Sequence, residues 1–174
     1  MNAFDEQVAR LQQLFGPAII EVLMPASHLT DVPIVFVQPN HIVEVLDFLK
    51  NGDRFEYDFL ADLTASDELP AEPRYLVIYN LFSTTRFWRL RVKVCVAESE
   101  PVPSITGLWP GANWAEREIH DMYGIPVANH PDLRRILNDE RFQGFPLRKD
   151  YDLRKYQIFN DAPAINKNLL DRKS

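Results

Sequence analysis

Two adjoining runs, Tyr75–Phe82 and Phe87–Ala97, constrain this chain more than any other stretch. In the second, Trp88, Leu90, Val92, Val94 and Val96 alternate with Arg89, Arg91, Lys93 and Cys95. A period of two sends successive side chains to opposite faces of a strand, so one face is core and the other is basic. The link Ser83-Thr84-Thr85-Arg86 between the runs suits a hairpin. Cys95 shares the basic face, where nearby cations would favour its thiolate. No histidine or acid flanks it in sequence, so it reads as a structural thiol.

The remaining elements follow from helical spacing and its punctuation. Phe4, Val8, Leu11, Leu14 and Phe15 recur at helical intervals up to Gly16-Pro17. Ala18–Met24 and Val32–Val37 read as strands. Pro39-Asn40 opens a helix to about Lys50, with Ile42, Val45, Leu46 and Leu49 inward and Asn51-Gly52 stopping it. Phe55–Leu63 is strand-like, interrupted by Asp58 and Asp62. Strands before and around helices, joined by hairpin links, predict an α+β fold: one domain with a mainly antiparallel or mixed sheet packed against helices. Its 174 residues suffice for one core. We divide the chain into a core domain, 1–143, and an extended C-terminal arm, 144–174.

The stretch from Trp109 to Tyr151 concentrates the charge. Asn113 is a candidate N-cap with Glu116 three residues on as its capping-box partner, and Gly124 follows the last turn. Placing residues at 100° intervals gathers Trp114, Ala115, Ile119, Met122 and Tyr123 on one side, and Glu118 falls within that arc. A carboxylate there needs a basic partner, which Arg134, Arg135 and Arg148 offer. His130-Pro131-Asp132 reads as a second helix start, with Leu133, Ile136 and Leu137 inward and Arg134 and Arg135 outward.

Several function classes are excluded. One cysteine allows neither an internal disulfide nor a self-contained iron–sulfur cluster, which takes about four thiolates. No Gly-x-Gly-x-x-Gly or Walker A sequence occurs. No apolar run approaches the roughly 20 residues of a membrane span, and the N-terminus lacks a signal-peptide layout. The expected place is the cytoplasm, with any membrane association made through another chain. Residues 1–133 hold 9 Lys and Arg against 19 Asp and Glu, whereas residues 134–174 hold 10 against 6. The basic end suits an acidic partner or the chain's own acidic body. Acids mixed into it, and a pI near 5.2, argue against nucleic acid. After Tyr151 the periodicity decays, although Leu153, Tyr156, Ile158 and Phe159 are too apolar for a solvated tail.

Three ordered blocks in this region resemble the signature of the 30-kDa subunit family of respiratory complex I, which includes the C-type subunit of bacterial NADH:quinone oxidoreductase. Glu116, Arg117, Glu118, Asp121, Gly124 and Ile125 match the first block. His130, Pro131, Asp132, Leu133, Arg134, Arg135, Ile136 and Leu137 match the second, and Gly144 with Pro146, Leu147, Arg148, Lys149, Asp150 and Tyr151 the third. Asp62–Asp67 and Pro103-Ser104-Ile105 also look familial. Val127, Asn129 and Asp152 depart from the usual pattern. The resemblance implies a non-catalytic structural subunit in the peripheral arm, on the cytoplasmic side of the bacterial inner membrane. It binds no cofactor, and flavin mononucleotide (FMN) and iron–sulfur clusters belong to partner subunits. The 49-kDa-type subunit of complex I is the implied main contact, with the segment from Gly144 onward as the binding arm. Trimming after Asp150 is then expected to leave the melting temperature nearly unchanged and to weaken co-purification with the 49-kDa-type subunit. Two alternatives stand beside this reading. Related subunits occur in hydrogenases and other quinone-linked dehydrogenases. A metal-dependent enzyme would use Glu116 with His120 one turn on, and Asp121 near His130.

Overall fold

A computed structural model describes residues 3–25, 30–52, 55–154 and 157. Its centre is the predicted strand pair. In chain order the elements are α1 (Ala3–Phe15), β1 (Ile19–Leu23), β2 (Ile34–Val37), α2 (Ile42–Asn51), β3 (Phe59–Asp67), β4 (Tyr75–Phe82), β5 (Arg89–Val96), β6 (Val102–Pro103), α3 (Ala112–Tyr123) and β7 (Val127–Ala128). The first five strands in sequence form one sheet in the order β1-β2-β5-β4-β3. Strands β4 and β5 pair antiparallel without a slip, from Tyr75 opposite Val96 to Phe82 opposite Arg89. Strand β2 runs parallel to β5, which makes the sheet mixed. The fold is α+β.

The alternation in β5 translates directly into layers. Leu90, Val92, Val94 and Val96 are buried, as are Tyr75, Val77, Tyr79 and Leu81 on β4. Helix α2 places Ile42, Val45, Leu46 and Leu49 in the same core. Burying each such side chain is worth about 1.5–3 kcal/mol, so this face of the sheet anchors the domain. Trp88, read as the first core position of β5, is only partly buried and precedes the strand. Phe87 has a φ of 57°, and the turn is closed by the Ser83 amide donating to the Trp88 carbonyl and the Phe87 amide donating to the Ser83 carbonyl, so the link is longer than four residues.

Two further expectations need correction. The strand read at Phe55–Leu63 instead begins at Phe59 and runs to Asp67. The Asp58 carboxylate accepts the Thr84 amide and hydroxyl, ending the irregular approach, and the polar second half (Thr64, Ser66, Asp67) hid the strand from a hydropathy reading. The second correction concerns His130–Leu137, which forms no helix. Leu137 is 63% exposed rather than inward, and Arg135, rather than facing out, turns toward α3. The cause is a carboxylate on α3 that binds the amides of this segment.

The two-stranded ladder of β6 and β7 is parallel, with Val102 opposite Val127. It brings Ser104 and Ile105 beside α3. Among the described residues no helix is long and apolar enough to cross a membrane. Lys155, Tyr156, Ile158 and Phe159, assigned to the C-terminal arm, lie outside the described residues, as does the remainder to residue 174.

Candidate functional site

Helix α3 organises all three signature blocks. Its N-cap is Gly111, with no side-chain cap, so the capping box of Asn113 and Glu116 does not form. Glu116 is instead 2% exposed and reaches into the β6 connection. Its Oε1 accepts the Ile105 amide at 2.7 Å and its Oε2 accepts the Ser104 hydroxyl at 2.7 Å. Burial raises the pKa of this carboxyl, against the opposing effect of those two donors and of His130. The His130 ring is fully covered, with Nε2 3.8 Å from Glu116 Oε2. Its Nδ1 accepts the Asp132 amide at 3.0 Å, which leaves the proton on Nε2, 3.2 Å from the Asn113 carbonyl oxygen.

Asp121, one and a half turns further on, has no exposed surface. Its Oδ2 accepts three successive amides, from Ile136, Leu137 and Asn138, at 3.0, 2.8 and 2.9 Å. Its Oδ1 accepts Arg135 Nη1 at 2.6 Å and Asn138 Nδ2 at 3.0 Å. Burial alone would raise its pKa, but the Asn138, Leu137 and Ile136 donors hold it well below the usual carboxylate range. Arg117 fixes the same segment from the other side by donating to the carbonyls of Arg134 and Arg135. The second block is therefore a coil wound on a carboxylate.

Glu118, expected to be the buried acid, is exposed. Among the described residues no ion pair joins it to Arg134, Arg135 or Arg148. The expected arc ran from Trp114 round to Tyr123, and Trp114 is 69% exposed. Turning the buried face toward Ala112, Glu116, Ile119 and Met122 brings Glu116 in and Glu118 out. Arg134 pairs on the surface with Asp132 at 2.8 Å.

The third block closes over the end of α3. Gly124 has a φ of 75° and donates its amide to the His120 carbonyl, the expected left-handed cap. A Cβ there would lie 2.6 Å from Arg148 Nη2 and 2.6 Å from the Phe145 ring, so the glycine also gives the block room. Pro146 is half-buried, and the amide of Leu147, itself 51% exposed, donates to the Met122 carbonyl at 3.1 Å. Arg148 donates to the Tyr123 carbonyl at 2.6 Å and pairs with Glu98. The Lys149 amide donates to Asp67 at 2.8 Å, and its ammonium to the Leu69 carbonyl. Asp150 meets Arg74 at 2.7 Å.

Arg74 and Asp67 form the hidden half of this lock, both side chains nearly fully buried, with two guanidinium nitrogens on the two carboxylate oxygens at 2.8 and 3.1 Å. The Arg74 guanidinium, followed by the Lys149 and Leu69 amides, keeps the Asp67 carboxyl well below its ordinary range. Cations and rings also alternate from the sheet outward: Arg148 lies over Tyr75 and Phe145, Arg135 over Phe145 and Phe142, and Phe142 stacks on Tyr151 at 6.0 Å.

Sequence reasoning missed Arg74, Glu98 and the Ser104 hydroxyl as partners. The available signal was the strand pairing itself, because register sets Asp67 opposite Tyr75 and so puts Arg74 beside it. Glu116 and His120 are not joined: His120 Nδ1 lies 3.0 Å from the Ile125 carbonyl oxygen. Among the described residues no three His, Cys, Asp or Glu side chains gather as a metal site. The charged residues of all three blocks serve mainly to bind backbone and one another.

The same α+β fold occurs among solved structures. A chain of the membrane-bound sulfane sulfur reductase, an archaeal respiratory membrane complex, shares the fold with a TM-score of 0.68, at 21% identity over 86% of this chain and 85% of that one. The family described as respiratory-chain NADH dehydrogenase, 30 Kd subunit, matches residues 35–157, and this chain belongs to it. A C-type subunit of NADH-quinone oxidoreductase from Rhizobium etli (strain CIAT 652), the one numbered 2, is 44% identical over 149 residues, 86% of this chain and 78% of that protein. The C-type subunit of the same enzyme from Roseiflexus sp. (strain RS-1) is 49% identical over 120 residues, 68% of this chain and 69% of that one. The mitochondrial NADH-ubiquinone oxidoreductase 30.4 kDa subunit of Neurospora crassa is 44% identical over 122 residues, 70% of this chain but 43% of its own length.

Proposed function

We propose that this chain is a non-catalytic structural subunit of the peripheral arm of NADH-quinone oxidoreductase, shaping and holding the arm while other subunits carry the electrons. The observation that carries this reading is the commitment of the signature charges. Glu116, Asp121, Arg135, Arg148 and Asp150 each bind groups of the chain itself, across sequence separations of up to 76 residues. Catalytic acids and bases instead face a cleft where substrate can reach them. Flavin mononucleotide and the iron–sulfur clusters belong to the partner subunits; for the clusters, this chain's one cysteine cannot supply the four thiolates required. The complex, rather than the chain, holds it at the cytoplasmic face of the bacterial inner membrane.

The partner-binding arm lies in the segment from Gly144 onward, and its main partner is the 49-kDa-type subunit. Two features support this. Leu147 and Leu153 are 51% and 79% exposed, beside the basic Lys149 and Arg154. Apolar side chains interleaved with cations suit a groove on an acidic partner. Trimming after Asp150 would also remove Gln157, which bonds to Gln143 and to the Tyr151 hydroxyl, so the test substitutes the exposed side chains instead. Leu147→Asp with Leu153→Asp should leave the melting temperature of the purified chain nearly unchanged and weaken co-purification with the 49-kDa-type subunit at least tenfold. A variant that still co-purifies at the wild-type level would rule out the arm. Purified alone, the full chain should neither oxidise NADH nor reduce quinone, and one bound chromophore per chain would overturn the structural reading.

A further inference from the structure

Helix α2 packs on one face of the sheet, and the opposite face carries signs of a missing layer. Strands β2 and β5 at the centre are parallel. Strands covered on both faces, as in all-parallel sheets, read as unbroken apolar runs. Strand β2 reads Ile-Val-Phe-Val, without alternation. Around Phe36, the open face presents half-buried Leu76, Ile78 and Phe82 from β4. Through this apolar field runs a column of cations, Arg89, Arg91 and Lys93, spanning about 13 Å at the strand rise.

Those cations are under-used by the chain. Arg91 bonds Asn80 and lies 3.6 Å from Asp31. Arg89 lies over the Phe82 ring and Lys93 over the Phe36 ring. Among the described residues neither Arg89 nor Lys93 has a carboxylate within ion-pair distance. Among those residues, the flanking acids at matching register positions are Glu21 beside Phe36 and Asp62 beside Asn80, one strand away from the column.

We propose that this face docks an acidic amphipathic helix of another subunit, its apolar stripe on Phe36, Leu76 and Ile78 and its carboxylates on Arg89 and Lys93. Charge decides among the occupants. Residues 158–174 of the chain carry Lys167, Arg172 and Lys173 against Asp161 and Asp171, the same sign as the column. A second copy docked face to face would set the two cation columns against each other, since a two-fold interface is self-complementary. A helix-bearing acidic partner satisfies both the apolar field and the cations, and completes a three-layer arrangement. The inference rests on the assignment of the chain to a multi-subunit complex.

Cys95 provides the assay, because it is the chain's one cysteine and lies on this face, paired in register with Leu76. Burial, against the pull of Lys93, raises its thiol pKa, so maleimide labelling is run in alkaline buffer. Its rate is read from the Cys95 peptide by mass spectrometry, in the purified chain and in the purified complex. Assembly should slow labelling at least tenfold, and Arg89→Glu with Lys93→Glu should restore it. A benzophenone amino acid replacing Ile78 should cross-link to a helical, net-acidic segment of another subunit. Equal labelling rates overturn the proposal, as does a cross-link to residues 158–174, to a second copy, or to a segment without net negative charge. A chain that fails to co-purify with the complex overturns the assembly assignment too, whereas a co-purifying chain with freely reactive Cys95 overturns this inference alone.

Discussion

Replacing Asp121 by Asn changes one oxygen for an amide and leaves the volume of α3 untouched, so its cost isolates the charge. The carboxylate meets five donors: three amides on Oδ2, and Arg135 with the Asn138 amide group on Oδ1. An Asn side chain has one acceptor oxygen. If that oxygen serves the three amides, the new NH2 faces the Arg135 guanidinium, donor against donor. Breaking a buried ion pair by removing one member costs about 3–5 kcal/mol. Arg135 is 18% exposed in its side chain and recovers some hydration, which sets the expected loss near the lower end, about 3 kcal/mol. For a chain of this size that is a fall of roughly 6–12 °C in melting temperature. The assay is urea unfolding of the purified chain, with Glu118→Gln as the exposed control, expected within about 0.5 kcal/mol of wild type. The pH dependence adds an independent check. The folded pKa of Asp121 lies below its unfolded value of about 3.9. Its contribution is therefore complete above about pH 4 and lost as pH falls through the folded value. The wild type should lose this increment in acid and Asp121→Asn should not. A neutral-pH loss below about 1 kcal/mol, the level of a surface pair, would refute the reasoning.

Glu116→Gln should behave oppositely. Its two neighbours are one amide donor and one hydroxyl that both donates and accepts, so Gln can satisfy them. The folded pKa is raised, so the ionised group weakens the fold above that pKa and wild-type stability rises as pH falls toward about 4.3. The variant should match wild type within about 1 kcal/mol at neutral pH and lack this rise; a loss above about 3 kcal/mol would mean that the charge itself is required. Arg74→Gln strands Asp67, whose side chain is 2% exposed, and should cost about 3–5 kcal/mol in urea unfolding. Arg74→Lys should recover only part, because an ammonium cannot grip Asp67 with two parallel bonds while reaching Asp150; full recovery would show that the fork geometry is irrelevant.

What could be read from the sequence depended on how local its cause is. The β4–β5 pair and the inward face of α2 were legible because alternation and helical spacing act within a few residues, and burial followed them. Gly124 was legible because the left-handed cap is a backbone requirement. The rotation of α3 was not. Trp114 is apolar and exposed, Glu116 and Asp121 are acidic and buried, and the donors that make this tolerable come from residues 104–105 and 135–138. The helix expected at His130 failed for the same non-local reason: Asp121 offers its amides a stronger acceptor than a helical turn would. Pro131 and Asp132 fit a helix start, but a residue from another element settled the conformation.

The direction in which these charges point also separates two explanations of the signature. Residues retained for catalysis can be replaced with little effect on folding, because their partners are substrate and water. Here the partners are main-chain amides and carbonyls, and the bonds join segments that have no other reason to be adjacent. Arg148 on the Tyr123 carbonyl, Lys149 on Asp67 and Asp150 on Arg74 pin the third block to the ends of α3, β3 and β4. Residues 148–150 are thereby fixed against the sheet. A partner that binds this block would meet it already ordered, which lowers the ordering entropy of association. Substitutions in the blocks should consequently lower stability and assembly together, whereas electron transfer in the complexes that do assemble should be unchanged. Complexes that assemble at normal abundance but turn over slowly would place chemistry in the signature, and would require one of these groups to leave its present partner.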